Sequence, residues 1–220
     1  MTLTKTPLHT LWTGAFGERV ATHISALTGS ASTAARHDGT YSATWPHARL
    51  RIVATWRHEP VLTSRLSELH TAFGTPWLPV VLEYPKIRIG PLIVPGEGAC
   101  HDCYLARRSQ HDRSPVGTAA LRASAAADPD AGVSGFTEGQ AMVAAGLAVD
   151  LVQARGGEPH AVAPGRVLFY DVLSRALITD TVLGVHGCPR CGTSAHPDEG
   201  WIDLATHLRL GEGVLTGGLR

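Results

Sequence analysis

Two pairs of cysteines, each with two residues between its members, constrain this chain more than any other feature. Cys100 and Cys103 form the first pair, Cys188 and Cys191 form the second, and the 220 residues contain no other cysteine. A C-x-x-C turn directs two thiolates at one ion, and two such turns complete the tetrahedral coordination of a structural Zn²⁺ site, with Zn–S bonds of about 2.3 Å. Because four thiolates leave no open coordination position, the pattern predicts a structural zinc ion rather than a catalytic one.

The long separation between the pairs indicates what such an ion would do. The run Cys188-Pro-Arg-Cys191-Gly192 is typical of a zinc-knuckle turn, but its partner turn lies far upstream, so the chain has no self-contained zinc finger. The ion would join two distant segments and close a long loop, and we therefore expect it to contribute to stability.

Two alternatives to zinc stay open at this point. The four cysteines can be reduced thiols without a metal, or Cys100 and Cys103 can form a redox-active dithiol, although a thioredoxin-like site needs only one pair. His101 and His186 are spare candidate ligands, and we expect them to be neighbours of the site or surface residues.

Charge and hydropathy exclude several classes of protein. Lys plus Arg and Asp plus Glu each number 19, so the net charge is zero and no basic stripe indicates nucleic-acid binding. Residues 1–7 lack the apolar core of a secretory signal, and the apolar run over residues 141–152 is too short to span a bilayer. The sequence therefore predicts a cytoplasmic protein with no nucleic-acid or membrane partner, where paired cysteines favour metal over disulfides.

Hydrophobic periodicity predicts strands that alternate with helices in the first half of the chain. The predicted strands are Leu8–Thr13, Leu50–Thr55, Trp77–Glu83 and Lys86–Gly90, with one short strand within residues 29–48. After a turn at residues 14–17, the first helix has an apolar face of Val20, Ala21, Ile24 and Leu27 and ends at Gly29. The second helix runs from Pro60 to Gly74 and has a core face of Leu62, Leu66, Leu69 and Phe73. This alternation favours a parallel α/β sheet with the winding of nucleotide-binding proteins.

The second half of the chain is less regular. Residues 107–135 are rich in Ala, Ser and Asp, which predicts a long, mobile crossover loop. Thr137-Glu-Gly-Gln140 is a capping box that starts an apolar helix through Gln153. Val167–Val172 and Leu177–Leu183 predict a hairpin just before the second cysteine pair. We expect one domain over residues 1–192 and a Gly-rich tail over residues 193–220, with one amphipathic piece at 201–210.

Three runs of residues resemble a known family. They are Gly74-Thr-Pro-Trp-Leu-Pro-Val-Val81, Ile89-Gly-Pro-Leu-Ile-Val-Pro-Gly96 and Ala99-Cys-His-Asp-Cys-Tyr-Leu-Ala-Arg-Arg108. With the closing C-P-x-C-G run, they are similar to the ThiF/E1-like ("ocin-ThiF-like") cyclodehydratase components that work beside a YcaO enzyme in the biosynthesis of ribosomally made peptides. The resemblance extends from Leu8 to Gly192. It implies a Rossmann-type ThiF/E1-like sheet and a structural zinc ion on the four cysteines.

The nucleotide-binding loop departs from the pattern of the active E1-like enzymes, which adenylate a carboxylate. Such enzymes need a Gly-rich turn after the first strand, so that backbone amides can approach phosphate. Here the turn reads Trp12-Thr-Gly14-Ala-Phe-Gly17, and Trp12 stands in the first glycine position, where an indole would fill the space of a ribose-phosphate. We therefore expect a degenerate loop that binds no nucleotide, in which Gly14 and Gly17 allow strand and helix to pack closely.

Two more positions separate this chain from the active enzymes. The resemblance places the magnesium-binding Asp directly after the strand Leu50–Thr55, where this chain carries Trp56 and Arg57. Asp38 is a candidate for the acidic residue that binds the ribose, but nothing in the sequence positions it there.

These departures predict a non-catalytic scaffold that binds a YcaO-type enzyme and helps to present a precursor peptide, of the bacteriocin or thiopeptide type, for azoline formation. Longer relatives carry a winged-helix module that binds the leader of the precursor. Only about seven residues precede the first strand here, so we expect a separate recognition protein to supply that function. An ATP-dependent adenylating enzyme and a peptide-binding or dimerisation module of another pathway are the alternatives. A homodimer also remains open, and no residue is assigned a catalytic role.

Overall fold

A computed structural model describes residues 7–40, 43, 45–128, 135–157 and 164–192 of the chain. These residues form one seven-stranded sheet with helices on both faces. The strands are β1 (Leu8–Thr13), β2 (Ala31–Ala34), β3 (Leu50–Thr55), β4 (Trp77–Glu83), β5 (Lys86–Ile89), β6 (Arg166–Asp171) and β7 (Leu177–Thr181). The helices are α1 (Gly14–Thr28), α2 (Pro60–Ala72), α3 (His101–Gln110), α4 (Pro115–Ala127) and α5 (Glu138–Gly157). No helix in the described part of the chain has the length and apolarity that crossing a membrane requires.

Four strands at one side of the sheet are parallel, in the order β2-β1-β3-β4. All six residues of β3 are buried, as expected for a strand that is covered on both faces. Ile52 packs into one core and its neighbour Val53 into the other. Since β1 lies between β2 and β3, the winding reverses at β1, and the carboxyl ends of β1 and β3 flank the crevice where α/β proteins bind ligands.

The other three strands are antiparallel, in the order β5-β6-β7 after β4. The prediction of α/β architecture is confirmed, and the two strands on either side of the predicted Tyr84-Pro85 turn pair in antiparallel fashion. Only Tyr84 and Pro85 connect β4 to β5, and a two-residue connection can join only antiparallel strands. The predicted β6–β7 hairpin is confirmed, with Phe169 paired with Ile178.

Two hydrophobic clusters cover the opposite faces of the sheet. In the larger cluster, α1 contributes Phe16 and Ile24, both almost fully buried. Helix α5 packs against the same face through four fully buried alanines, Ala141, Ala144, Ala145 and Ala148. The smaller cluster joins Leu62 and Leu66 of α2 to Trp77 of β4. In the larger cluster, the alanine side chains of α5 are small, and that helix can therefore approach α1 and the sheet closely.

Helix boundaries follow local signals at several points. Gly29 ends α1 in the left-handed conformation, with φ of 70°, and donates its N–H to the Ser25 carbonyl at 2.7 Å. The predicted capping box of α5 is confirmed, because the Thr137 N–H donates to Gln140 Oε1 at 2.8 Å and the Gln140 N–H donates to Thr137 Oγ1 at 3.3 Å.

Two local predictions are wrong. Residues 14–17 form no separate turn, because β1 passes into α1 through the single left-handed residue Gly14, with φ of 62°. Leu27 and Phe73 are exposed rather than core residues. Leu27 lies in the last turn of α1, and Phe73 is the C-cap of α2, where the helical repeat no longer governs side-chain direction.

The predicted crossover loop over residues 107–135 is also wrong for most of its length, since α3 extends to Gln110 and α4 occupies Pro115–Ala127. Pro115 at the first turn and a run of alanines favour a helix there. Nevertheless α4 buries little, because Val116 is 82% and Leu121 is 75% exposed. Whether this segment is mobile stays a prediction. Residues 129–134 and the tail over 193–220, with its amphipathic piece at 201–210, lie outside the described residues.

Candidate functional site

The four cysteines meet at the start of α3. Cys100 is the N-cap of that helix and Cys103 lies in its first turn, while Cys188 and Cys191 come from the turn after β7. The sulfur atoms all lie within 4.8 Å of one another. Cys100 Sγ is 3.7 Å from Cys103 Sγ and 3.6 Å from Cys188 Sγ, and Cys103 Sγ is 3.5 Å from Cys191 Sγ. The fold therefore brings together the four residues that the spacing predicted.

The geometry of the sulfurs fits a tetrahedral metal ion. Metal–sulfur bonds of about 2.3 Å place the sulfurs of a tetrahedron roughly 3.8 Å apart, close to the distances found here. Burial raises the pKa of the Cys100 and Cys103 thiols, so the buried thiolates need a cation to stabilise them. The Val185 N–H also donates to Cys103 Sγ at 3.3 Å. This donor set is compatible with a metal site of zinc size and charge.

Neither spare histidine belongs to the cluster. The His101 ring is 1% exposed and stacks at a tilt between Trp77 and Tyr104, with centroids 5.2 and 6.0 Å away. Burial lowers the pKa of His101 to about 3, so this ring is a neutral core residue. His186 is exposed.

A tryptophan covers the crevice between β1 and β3. A Cβ atom at Gly14 would lie 2.3 Å from Cδ1 of Trp56, so the Trp56 indole lies directly against the first residue of α1. In nucleotide-binding folds, the N-terminus of this helix receives the phosphate groups. Here an apolar ring contacts that position.

The second glycine of the loop has a different role. A Cβ atom at Gly17 would lie 2.4 Å from the Ala54 carbonyl oxygen and 3.4 Å from Trp12 Cβ. Only glycine allows α1 to approach the backbone of β3 so closely. Trp12 itself is half-buried and packs against the larger hydrophobic cluster.

A buried carboxylate, which the sequence analysis missed, bridges the same crevice. Glu59 follows β3, is 5% exposed, and accepts a hydrogen bond from Thr13 at the end of β1. Its other oxygen lies 2.7 Å from Nδ1 of His37, in the segment after β2. These contacts connect the ends of three parallel strands. A glutamate before a proline carries no sequence signal for such a bridge.

Arg57, which follows β3, and Asp38, which follows β2, also contact neighbouring residues. The Arg57 guanidinium stacks on the Trp56 ring at 5.0 Å and donates to the carbonyls of Ala125 and Asp128 at the end of α4. Asp38 is exposed and accepts hydrogen bonds from Arg36 and from the Thr40 N–H. The Thr40 hydrogen bond is the main cause that lowers the pKa of Asp38.

A buried group of charges lies on the α3 side of the sheet. Arg88 is fully buried, donates to Glu83 Oε1 at 3.1 Å and stacks on Tyr104 at 4.7 Å. Arg108 of α3 lies 2.6 Å from the same Glu83 oxygen. Burial opposes ionisation of Glu83, but the two arginines lower its pKa to about 2. No sequence signal indicates this group, because the pattern Lys-Ile-Arg-Ile in β5 is typical of a strand with one solvent-facing side.

A cavity of about 780 Å³ opens beside this group, between α3 and the outer strands. Its lining combines cationic side chains, among them Lys86, Arg108 and Arg113, with the apolar side chains of Phe169 and Ile178. Strand β7, at one wall, is exposed along all five residues. The same lining also carries the carboxyl groups of Glu83, Asp112 and Asp180.

The described residues combine a mixed sheet of seven strands, a Rossmann-type parallel half, and two C-x-x-C turns that meet at one point. No protein-family model matches the chain, and no curated protein matches it in sequence.

Several solved structures share this fold. The heterocyclase TruD superposes with a TM-score of 0.62 at 20% identity, over 86% of this chain and 28% of that one. The E. coli microcin synthetase McbBCD complex gives 0.60 at 10% identity, over 86% and 69%. The microcin C7 biosynthetic enzyme MccB in complex with N-formylated MccA gives 0.62 at 16% identity, over 86% and 68%. The chain spans about a quarter of the length of TruD and of a second heterocyclase, solved with substrate and cofactor.

Proposed function

We propose that this protein is a non-catalytic partner of a YcaO-type cyclodehydratase, and that it binds or presents a ribosomally made precursor peptide during azoline formation. The observation that carries this proposal is a ThiF/E1-like fold whose nucleotide crevice is closed by its own side chains, Trp56 against Gly14 and Glu59 across the strand ends. Azolines would form from Cys, Ser or Thr residues of the peptide, and the partner enzyme would use the ATP.

Two physical arguments oppose a nucleotide in this crevice. A phosphate at the N-terminus of α1 would have to displace the indole of Trp56, which lies in contact with Gly14. The buried carboxylate of Glu59 would repel that phosphate at short range. Both features support a scaffold that has kept the fold of an adenylating enzyme without its chemistry.

We assign a structural zinc ion to Cys100, Cys103, Cys188 and Cys191. When bound, it would supply no reaction, but would tie the start of α3 to the turn after β7. We expect one zinc per chain by elemental analysis of freshly purified, unchelated protein. Cys188→Ser should lower the unfolding midpoint clearly, and chelator-treated wild-type protein is the control. Protein that contains no zinc would falsify the assignment.

The cavity beside α3 supports the peptide role, because it offers apolar and cationic groups next to an exposed edge strand. A separate recognition protein would hold the leader of the precursor. The final product, of bacteriocin or thiopeptide type, depends on that precursor.

Reconstitution tests the proposal directly. A YcaO enzyme and a precursor peptide encoded beside this protein are incubated with ATP-magnesium, with and without the chain, and each azoline is counted by mass spectrometry as the loss of one water. We expect efficient modification only when the chain is present. Equal modification without it would exclude a role as the partner protein.

One observation favours an adenylating enzyme as the second candidate: β1 leads directly into α1 through a left-handed glycine, as in nucleotide-binding folds. An adenylating enzyme would exchange labelled pyrophosphate into ATP when the precursor peptide is added. The scaffold that we propose would not catalyse this exchange.

A further inference from the structure

An ion pair joins the two cysteine turns. Asp102 lies between Cys100 and Cys103, and Arg190 lies between Cys188 and Cys191. Arg190 Nε donates to Asp102 Oδ2 at 2.5 Å, across 88 residues of sequence. The two residues between the cysteines of each pair therefore include one charged side chain, and these two side chains make a contact that does not involve the sulfurs.

Both members of this pair are held in place by other elements. Asp102 lies in the first turn of α3, where the helix dipole favours a carboxylate. The Arg190 side chain is 22% exposed, and its second nitrogen lies 3.9 Å from Glu68 Oε1 of α2. Because helices carry both acidic partners, the arginine joins the Cys188 turn to α3 and to α2.

Charge gives the pair a second effect at the metal centre. Four thiolates around a divalent cation have a net charge of about −2, and Asp102 adds another negative charge beside them. Arg190 offsets this charge and also lies within electrostatic range of Cys100. The two side chains therefore contribute differently, since the arginine alone opposes the excess of negative charge.

We propose that Asp102 and Arg190 are positioning residues of the metal centre, which hold the Cys188 turn against α3 so that the four sulfurs stay assembled and the bound ion exchanges slowly. This inference rests on the zinc site of the proposed function. The rate of metal release would then depend on the ion pair between Asp102 and Arg190, two side chains that do not themselves bind the metal.

The test is the rate at which zinc passes from the full-length protein to an excess of chelator. The variants are Asp102→Asn, Arg190→Gln and the double variant, and the matched controls are Asp112→Asn and Arg113→Gln in the loop between α3 and α4. We expect each single variant to release zinc about tenfold faster than wild type. Arg190→Gln should be the faster of the two, because it leaves the Asp102 charge uncompensated beside the thiolates.

Two further measurements separate positioning from general stability. The double variant should release zinc more slowly than Arg190→Gln alone, because both charges are then removed and the two effects are not additive. Cobalt-substituted variants should keep the absorption of tetrahedral thiolate coordination, which shows that the ligands are intact. Release rates equal to those of the controls, even with a lowered unfolding midpoint, would overturn the inference. Wild-type protein without zinc would overturn both this inference and the zinc assignment.

Discussion

The distance at which α1 packs on the sheet depends on the absence of a side chain at Gly17. The space at Gly17 is already filled by the Ala54 carbonyl oxygen, 2.4 Å from where a methyl carbon would be. The neighbour is backbone in a fully buried strand, so it cannot rotate away as a side chain could. Gly17 thus sets the distance between α1 and β3, and with it the position of Gly14 below the Trp56 ring.

We expect Gly17→Ala to destabilise the fold by about 1–3 kcal/mol, because α1 must shift away from β3 to admit the methyl group. The matched control is Gly146→Ala in α5, where no atom lies within 4 Å of the new methyl carbon. That substitution should stabilise the protein by about 0.5–1 kcal/mol, since alanine is the better helix former. Urea unfolding measures both, and a neutral effect at Gly17 would contradict the packing argument.

His70 is another residue whose surroundings fix its chemistry. It is 1% exposed, stacks on Trp77 at 5.5 Å, and its Nε2 lies 3.3 Å from Nη1 of Arg51. Because Arg51 can only donate, Nε2 must accept, and the ring must be neutral. Burial, with a smaller contribution from Arg51, lowers the pKa of His70 to about 3.

This lowered pKa predicts a loss of stability with acid. The unfolded chain binds a proton at His70 near pH 6.5 and the folded chain does not, so the contribution is complete above that pH and declines as pH falls toward about 3. At about pH 5 the expected loss is on the order of 2 kcal/mol. His70→Gln keeps an acceptor for Arg51 and should flatten the pH dependence of the urea midpoint. The exposed control His47→Gln should leave it unchanged, and equal slopes in both variants would refute the prediction.

At the scale of elements, the segment between the first cysteine pair and α5 shows why its amino-acid composition led to the wrong prediction of a loop. Its alanines favour a helix, but they also lower the apolar content that sequence patterns use to recognise one. Helix α4 exposes its two largest aliphatic residues, Val116 and Leu121, so no buried stripe marks it. Arg57 holds its C-terminal carbonyls instead, and a single arginine contact has no periodic signature.

We expect this weakly packed segment to be open to trypsin at Arg113 and Arg122 in the free protein, and protected when a partner enzyme or precursor peptide binds. Arg57→Gln should increase cleavage at Arg122 several-fold, because the end of α4 loses its anchor. Arg65→Gln, an exposed arginine of α2 paired only loosely with Glu68 at 3.5 Å, is the matched control. Cleavage that is slow in all forms would show that the segment is packed and not mobile.

The strands were easier to predict than the helices that cover them. β1, β3 and β4 have the predicted bounds, because continuous apolar runs bounded by turn residues are unambiguous. The cysteine cluster was equally predictable, since its ligand chemistry is encoded in local spacing. By contrast, Glu59, Glu83 and Arg88 meet their partners only through tertiary packing, and a charged residue in a sequence looks the same whether it is buried or exposed.

At the scale of the whole molecule, the two halves of the sheet differ in the space beside them: a crevice at the parallel half and a cavity at the antiparallel half. The parallel half closes its crevice with Trp56 and with the bridge from Glu59 to Thr13 and His37. The antiparallel half opens a cavity of about 780 Å³ against an exposed edge strand. The four-cysteine cluster lies at the start of α3, which also forms a wall of that cavity.

The central proposal is that this chain binds no nucleotide, and calorimetric titration of the purified chain with ATP-magnesium tests it most directly. We predict no saturable heat of binding up to millimolar nucleotide, because the Trp56 indole and the Glu59 carboxylate occupy the crevice at the end of β1 and β3. A saturable binding isotherm with one nucleotide per chain would contradict the account and make the adenylating enzyme the better description of this protein.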